Sequence, residues 1–161
     1  MKKTVMCAGL VVLLMVCAVF VFATNYPEVE FTISNYTKDY ALRVLNMETI
    51  NGEMGENDLN ETRMNDGNTK HIIYQPNSDG VVAFKFYFEV IDKPEMCGED
   101  GYKCGFEVRY ETSFLDEAGS VFIGTKPGTM KVYSSGNVFN IKNADCFTED
   151  EKPVCKVHIE K

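Results

Sequence analysis

The sequence has no tryptophan, two histidines, five prolines and no run of basic residues. Membrane proteins place tryptophan at the lipid–water interface, so its absence weakens a membrane-binding interpretation. The formal net charge is −8 at pH 7, and nucleic-acid phosphates and anionic lipid surfaces repel a chain of this charge. We therefore expect no nucleic-acid partner.

Motifs for common hydrolytic and phosphate-binding sites are also missing. There is no Gly-x-Ser-x-Gly, no glycine-rich phosphate loop and no His-Glu-x-x-His, the patterns that position a nucleophile, a phosphate or a zinc ion. His71 and His158 each lie within a strand-like run. The simplest interpretation is a protein without a cofactor and without catalysis.

The first 23 residues have the form of a secretory signal. Lys2 and Lys3 precede an uncharged apolar segment that ends at Ala23, which is the order of regions in a signal peptide. Cleavage after Ala23 would leave a single domain over 24–161, secreted or periplasmic, and would change the formal charge from −8 to −10 because two lysines leave. The apolar segment is also long enough for a membrane anchor, which is the alternative.

Four cysteines remain in the predicted mature chain, namely Cys97, Cys104, Cys146 and Cys155. An even number of cysteines in an exported protein favours disulfides. We predict the pairs Cys97–Cys104 and Cys146–Cys155, since each pair brackets a short polar loop between strand-like runs. Zinc is the competing interpretation, but no pair has the Cys-x₂-Cys spacing typical of a zinc site.

Strand-like alternation is strongest over 81–91, where every even position is apolar: Val82, Phe84, Phe86, Phe88 and Val90. An extended chain places these side chains on one face, so they predict the core side of a strand. Eight more short strands are predicted, separated by turn signals: 28–34, 40–46, 70–75, 105–114, 120–124, 129–133, 137–142 and 153–160.

No segment has a convincing helical period, so the sequence predicts an all-β fold. We expect an antiparallel sandwich of about nine short strands, with a barrel as the alternative. The first two strands should form a hairpin, and 70–75, 81–91 and 105–114 should form a meander.

The segment 51–69 is polar and acidic, which predicts a long loop that cannot pack into a core. Four of its side chains offer the oxygen ligands that calcium prefers: Asp58, Asn60, Glu61 and Asp66. The glycine of an EF-hand loop is missing, so calcium binding competes with the simpler interpretation of a solvated acidic loop.

The segment 97–104 combines a predicted disulfide with Glu99, Asp100 and Tyr102. Tyrosine is enriched at protein interfaces, and a loop held by a disulfide loses less entropy on binding. We therefore predict that loops 51–69 and 97–104 bind a protein or glycan partner, most simply one with a basic surface. The sequence does not predict an oligomeric state.

Two alternative functions are a calcium-dependent binding module and a secreted hydrolase. Glu107 and Glu111 lie on one predicted strand face, with Glu89 on the neighbouring strand, and glycosidases use such a carboxylate pair. A solvated sheet face balanced by Lys85 and Arg109 explains the same residues more simply.

Asn35 and Asn60 each begin a glycosylation sequon.

The stretch 29–37 reads Val-Glu-Phe-Thr-Ile-Ser-Asn-Tyr-Thr. It resembles the opening strand of several small exported β-sandwich proteins, including the aegerolysin lipid binders. The resemblance covers fewer than ten residues, and we transfer no functional residue from it.

Overall fold

The computed structural model describes residues 26–59, 62–112, 128–150 and 152–161, without the side chain of Asn143. Ten strands occur within these ranges: β1 Val29–Tyr36, β2 Leu42–Asn51, β3 Glu53–Asn57, β4 Arg63–Met64, β5 Thr69–Gln75, β6 Val81–Val90, β7 Phe106–Glu111, β8 Thr129–Ser134, β9 Asn140–Glu149 and β10 Lys152–Glu160. The predicted signal segment and the predicted strand 120–124 lie outside the described residues.

The strands form two five-stranded sheets. The A sheet has the order β3-β5-β1-β10-β9, and the B sheet has the order β4-β2-β6-β7-β8. Strand β8 contacts β9, so the two sheets approach each other along that side. The predicted all-β sandwich is confirmed.

Neighbouring strands run antiparallel, except that β1 and β10 are parallel. A parallel pair needs a long connection between its strands. Here the connection is not a helix but almost the whole domain, because β10 is the last strand and lies beside the first.

The predicted opening hairpin is wrong, because β1 belongs to the A sheet and β2 to the B sheet. The predicted meander is correct only for β6 and β7, which pair in the B sheet, whereas β5 pairs with β1. Both β1 and β2 bury apolar side chains, and placing these two strands in opposite sheets lets those side chains meet across the core.

Aromatic rings fill the space between the sheets. Phe31 of β1 meets three rings edge-on, with centroid distances of 6.0 Å to Tyr74, 5.1 Å to Phe84 and 6.1 Å to Tyr110. All four side chains are at most 1% exposed. The even positions of β6 are buried as the alternation predicted, and each such side chain contributes about 1.5–3 kcal/mol through burial.

The segment 51–69 is not a free loop, which corrects the prediction made for it. Strand β3 pairs with β5, and β4 pairs with the start of β2. The Val44 amide also donates a hydrogen bond to the Thr62 carbonyl oxygen at 2.7 Å. Strand β3 is exposed at every position and so shows no apolar alternation, whereas Met64 of β4 is completely buried in the core, contrary to the prediction that the segment cannot pack there.

Both predicted disulfides, Cys97–Cys104 and Cys146–Cys155, are present. The second joins directly opposed residues of β9 and β10. Two disulfides in a chain of this size indicate an oxidising environment outside the cytoplasm. Among the residues that the structure describes, no helix has the length and apolarity needed to cross a membrane.

Asn35 joins the end of β1 to two neighbouring turns and is completely buried. Its Nδ2 donates hydrogen bonds to the carbonyl oxygens of Tyr40 at 2.9 Å and Met64 at 2.8 Å. Its Oδ1 accepts hydrogen bonds from the amide and the hydroxyl of Thr37. With both amide hydrogens in use, this asparagine cannot carry a glycan in the folded chain. Asn60 of the other sequon lies outside the described residues.

We predict that Asn35→Asp lowers the free energy of unfolding by about 3 kcal/mol, because a buried carboxylate would face two carbonyl oxygens without a donor. Asn65→Asp is the control, since Asn65 is exposed and only accepts a hydrogen bond from Arg63 through its side chain. We expect that control to change stability by less than about 0.5 kcal/mol. Urea unfolding measures both, and equal stability of the two variants would contradict the role given to Asn35.

Candidate functional site

A shallow concavity of about 490 Å³ lies on the outer face of the B sheet, where the 97–104 loop folds over β2 and β6. Five residues line it: Leu45, Asn46, Tyr87, Asp100 and Tyr102. We call it the Tyr102 concavity. Tyr102 is the most exposed large hydrophobic residue among those described, at 68%.

Gly101 brings the loop close to the sheet. Its φ is +71°, and a methyl group added there would lie 2.6 Å from the Phe88 carbonyl oxygen and 2.9 Å from Leu45 Cδ1. Only glycine combines this left-handed backbone with so close an approach. Asp100 has φ +56°, so the chain makes two consecutive left-handed steps immediately before Tyr102.

The two ends of the loop are fixed as well. The Cys97–Cys104 disulfide closes it, and the Lys103 amide donates a hydrogen bond to the Cys97 carbonyl oxygen at 2.9 Å. The Ser135 hydroxyl lies 2.6 Å from the carbonyl oxygens of both Tyr102 and Gly105. It has one hydrogen, so it donates to one of these two oxygens at a time. The backbone that carries Tyr102 is thus held from both sides.

The sheet side of the concavity depends on strand alternation and on a bulge. The even positions of β6 face the core, so Tyr87 faces outward, opposite Asn46 of β2. The register of β2 shifts between Val44 and Asn46, which leaves Leu45 as an extra residue that is 38% exposed. A bulge re-aims a side chain in this way.

The charge of the Tyr102 concavity comes from Asp100. Its carboxylate makes no hydrogen bond or ion pair with another described residue, whereas the cations of β2 and β6 are paired. Arg43 pairs with Glu89, and Lys85 lies 3.8 Å from Glu48. An unpaired exposed carboxylate therefore stands beside two aromatic rings.

Glu99, Asp100 and Tyr102 are the binding residues that the sequence predicts. The structure brings Asp100 and Tyr102 together at the concavity and leaves Glu99 exposed in the same turn, outside the lining. The sequence did not predict Leu45, Asn46 and Tyr87 as site residues. Only Tyr87 could have been found, because it is an aromatic residue at an outward position of β6, the strand with the clearest alternation.

The four residues named for calcium are not shown as one site. Asp58 accepts a hydrogen bond from the His71 amide, and Asp66 accepts one from the Lys38 amide. Asn60 and Glu61 lie outside the described residues. Within the described ranges no group of three or more histidine, cysteine, aspartate or glutamate residues is arranged to hold a metal. Calcium binding by 58–66 stays a prediction.

The carboxylate pair proposed for a hydrolase is spread along one strand. Glu107 and Glu111 are four residues apart on β7, so their backbones lie about 13 Å apart, whereas the carboxyl groups of a glycosidase pair are about 5–10 Å apart. Arg109 donates a hydrogen bond to Glu111 at 2.7 Å and lowers the pKa of its carboxyl. A general acid in such an enzyme needs a raised pKa. The face carries charge pairs both within β7, between Arg109 and Glu111, and across β2 and β6, between Glu48 and Lys85.

A second concavity, also about 490 Å³, lies at the ends of β1 and β10, where Tyr36, Lys38, His158 and Lys161 contribute to its lining. Three of these side chains, Tyr36, His158 and Lys161, already contact one another or their neighbours. The rings of Tyr36 and His158 are 4.7 Å apart, and Lys161 donates a hydrogen bond to the Tyr40 hydroxyl, which raises the pKa of the lysine. This concavity is therefore less suited to an incoming ligand.

No protein-family model and no curated protein matches the chain, so the short resemblance over 29–37 is not extended to a family. Among solved structures, IP-1A from Alcaligenes faecalis is similar over 86% of this chain and 94% of that chain, with 10% identity and a TM-score of 0.48. RahU protein in complex with a TRIS molecule matches 83% of this chain and 93% of that chain, with 7% identity and a TM-score of 0.43.

The lipid binding protein Nakanori is similar over 84% of this chain and 72% of that chain, with 10% identity and a TM-score of 0.42. Likenesses as distant as these three carry no conclusion about a ligand of this chain.

We predict that Gly101→Ala is more destabilising than Gly67→Ala. Both glycines have positive φ, at +71° and +78°, but nothing lies within 4 Å of a methyl group at 67. The Gly67 variant should cost about 1 kcal/mol of backbone strain, and the Gly101 variant about 1–3 kcal/mol more through overlap. Chemical denaturation measures both values. Equal losses would mean that the loop does not press on Phe88.

Proposed function

We propose that the protein is an exported binding protein that captures a protein partner with a basic surface at the Tyr102 concavity. The observation that carries the proposal is the exposure of Tyr102 on a loop that is fixed by a disulfide, by Gly101 and by Ser135. Export itself rests on the signal-like segment 1–23 and agrees with the oxidising environment that the disulfides indicate.

The energetic reason is preorganisation. Binding normally costs about 0.5–1.5 kcal/mol for each flexible side chain that becomes ordered, and a loop already held in place reduces the loss. Tyrosine adds a large amphipathic contact with few rotatable bonds, and tyrosines are frequent among the few residues that dominate interface energies. The negative charge of the chain favours encounter with a basic partner.

The segment 51–69 contributes to this surface in a different way from the loop that the sequence predicted. Its exposed residues Thr62 and Arg63 run beside β2 just before Leu45, so they extend the surface next to the concavity. We propose contact with the partner there as a secondary part of the interface. A glycan partner is the alternative, and the capture experiment with glycans removed distinguishes it from a protein partner.

We predict that Tyr102→Ala weakens partner capture by at least tenfold, as expected for a central interface tyrosine. Tyr133→Ala is the matched control, because Tyr133 is 54% exposed and lies on β8, the far edge strand of the same sheet. The measurement is quantitative capture of cell-surface proteins by the immobilised mature domain, with and without calcium and with glycans enzymatically removed. Retention of the same partners by Tyr102→Ala would refute the site.

We also predict that the two disulfides differ in function but not in stability. Replacing Cys97 and Cys104 by alanine should lower stability by about 2–3 kcal/mol, and so should replacing Cys146 and Cys155, because both disulfides close short loops. Only the first double variant should weaken capture, since only that disulfide holds Tyr102. Thermal unfolding and the same capture measurement test this, and equal binding losses at equal folded fractions would contradict it.

A further inference from the structure

We propose that the Tyr102 concavity receives a single arginine side chain of the partner. This inference rests on the proposed function and specifies the chemical group that is recognised: a guanidinium between the rings of Tyr102 and Tyr87, paired with the carboxylate of Asp100. Each part of an arginine side chain has a matching group in the lining.

The rings recognise the plane of the guanidinium. A cation is attracted to the face of a tyrosine ring, and a guanidinium stacks on aromatic faces more readily than an ammonium because it is planar and more weakly hydrated. Tyr102 provides an exposed ring on the loop side, and Tyr87 provides a half-buried ring on the sheet side.

The polar groups recognise the N–H donors. Asp100 brings a carboxylate that pairs with no other described residue, and arginine donors match carboxylates in two-point geometry. Asn46 lines the same space, and its side-chain carbonyl is another possible acceptor for an N–H donor. The left-handed backbone at Asp100 is compatible with asparagine as well as aspartate, so the carboxylate can be neutralised without changing the loop.

The apolar part of the arginine side chain also has a place. Arginine buries its methylene groups along apolar surface while its charged end remains near polar groups. Leu45, which the bulge in β2 pushes outward, supplies that surface at the floor of the concavity. Lys103 of the same loop does not line the concavity, since its methylene groups pack beside Gly98.

The surrounding charges favour this occupant over an anionic one. The cations of β2 and β6, Arg43 and Lys85, already contact Glu89 and Glu48, and the described residues that line the concavity include no cation that would attract a phosphate or a carboxylate. The chain as a whole carries a formal charge of −8. An arginine on a basic partner is thus attracted both at a distance and in the site.

The test uses N-acetyl-arginine amide as the probe and its neutral isostere, N-acetyl-citrulline amide, as the comparison. Each is titrated into the ¹⁵N-labelled mature domain and followed by amide chemical shifts. We expect saturable shifts around Asn46, Tyr87 and Tyr102 with the arginine probe, at dissociation constants on the order of millimolar for so small a ligand. The citrulline probe should produce no saturable shifts there.

Three variants separate the contributions. Asp100→Asn should weaken arginine binding by about three- to fivefold, and Tyr102→Leu by a similar factor, while Tyr102→Phe keeps the ring and should bind as the wild type does. Asp150→Asn is the matched control, because Asp150 is another exposed aspartate with positive φ, at +47°, on a distant turn. That control should leave binding unchanged.

Citrulline binding equal to arginine binding, or unchanged binding by Asp100→Asn, would overturn the arginine inference. Such a result leaves the proposed function standing if Tyr102→Ala still abolishes partner capture. If capture survives Tyr102→Ala, the proposed function fails instead. The two failures are therefore distinguishable, and a circular dichroism spectrum of each variant confirms that it is folded.

Discussion

The structure depends on the packing of aromatic rings between its two sheets. Phe31 of the A sheet packs edge-to-face against Tyr74 of the same sheet and against Phe84 and Tyr110 of the B sheet. Side chains alternate along a strand, so Tyr87 must lie on the outer face when Phe86 and Phe88 are buried in this core. The core thus determines which residues of β6 are available for recognition.

The 97–104 loop uses that outer face. Gly101 lets its backbone rest on the Phe88 carbonyl, and Ser135 and the Cys97–Cys104 disulfide hold its ends. Aromatic and polar side chains that are far apart in the sequence, from Asn46 to Tyr102, therefore meet in one concavity. Loops held by a rigid sheet are where binding residues usually lie.

Local patterns in the sequence predicted much of the fold. Alternation identified the buried face of β6, and short polar loops between strands identified both disulfides, because each depends on residues close together in the chain. The sheet to which β2 belongs and the parallel pairing of β1 with β10 were not predictable in this way. They depend on packing across the core between distant segments, and the hydrogen bonds of Asn35 that direct the chain after β1 involve residues as far away as Met64.

The site was predicted only in part for the same reason. Asp100 and Tyr102 stand out in a short loop bounded by two cysteines, whereas Leu45 becomes exposed only because β2 carries a bulge. A bulge arises from the pairing register of two strands and has no signature in the residues of one. The strands within 51–69 were missed because β3 is exposed at every position and β4 is only two residues long, so neither shows an apolar alternation.

Binding by a preorganised loop requires that the Tyr102 concavity is already formed in the free protein. Backbone ¹⁵N relaxation of the unbound domain tests this most directly. We expect order parameters of about 0.85 for the amides of Gly101, Tyr102 and Lys103, equal to those of β6, because a rigid backbone gives such values. Order parameters below about 0.6 at these three residues, with a rigid β6, would contradict it.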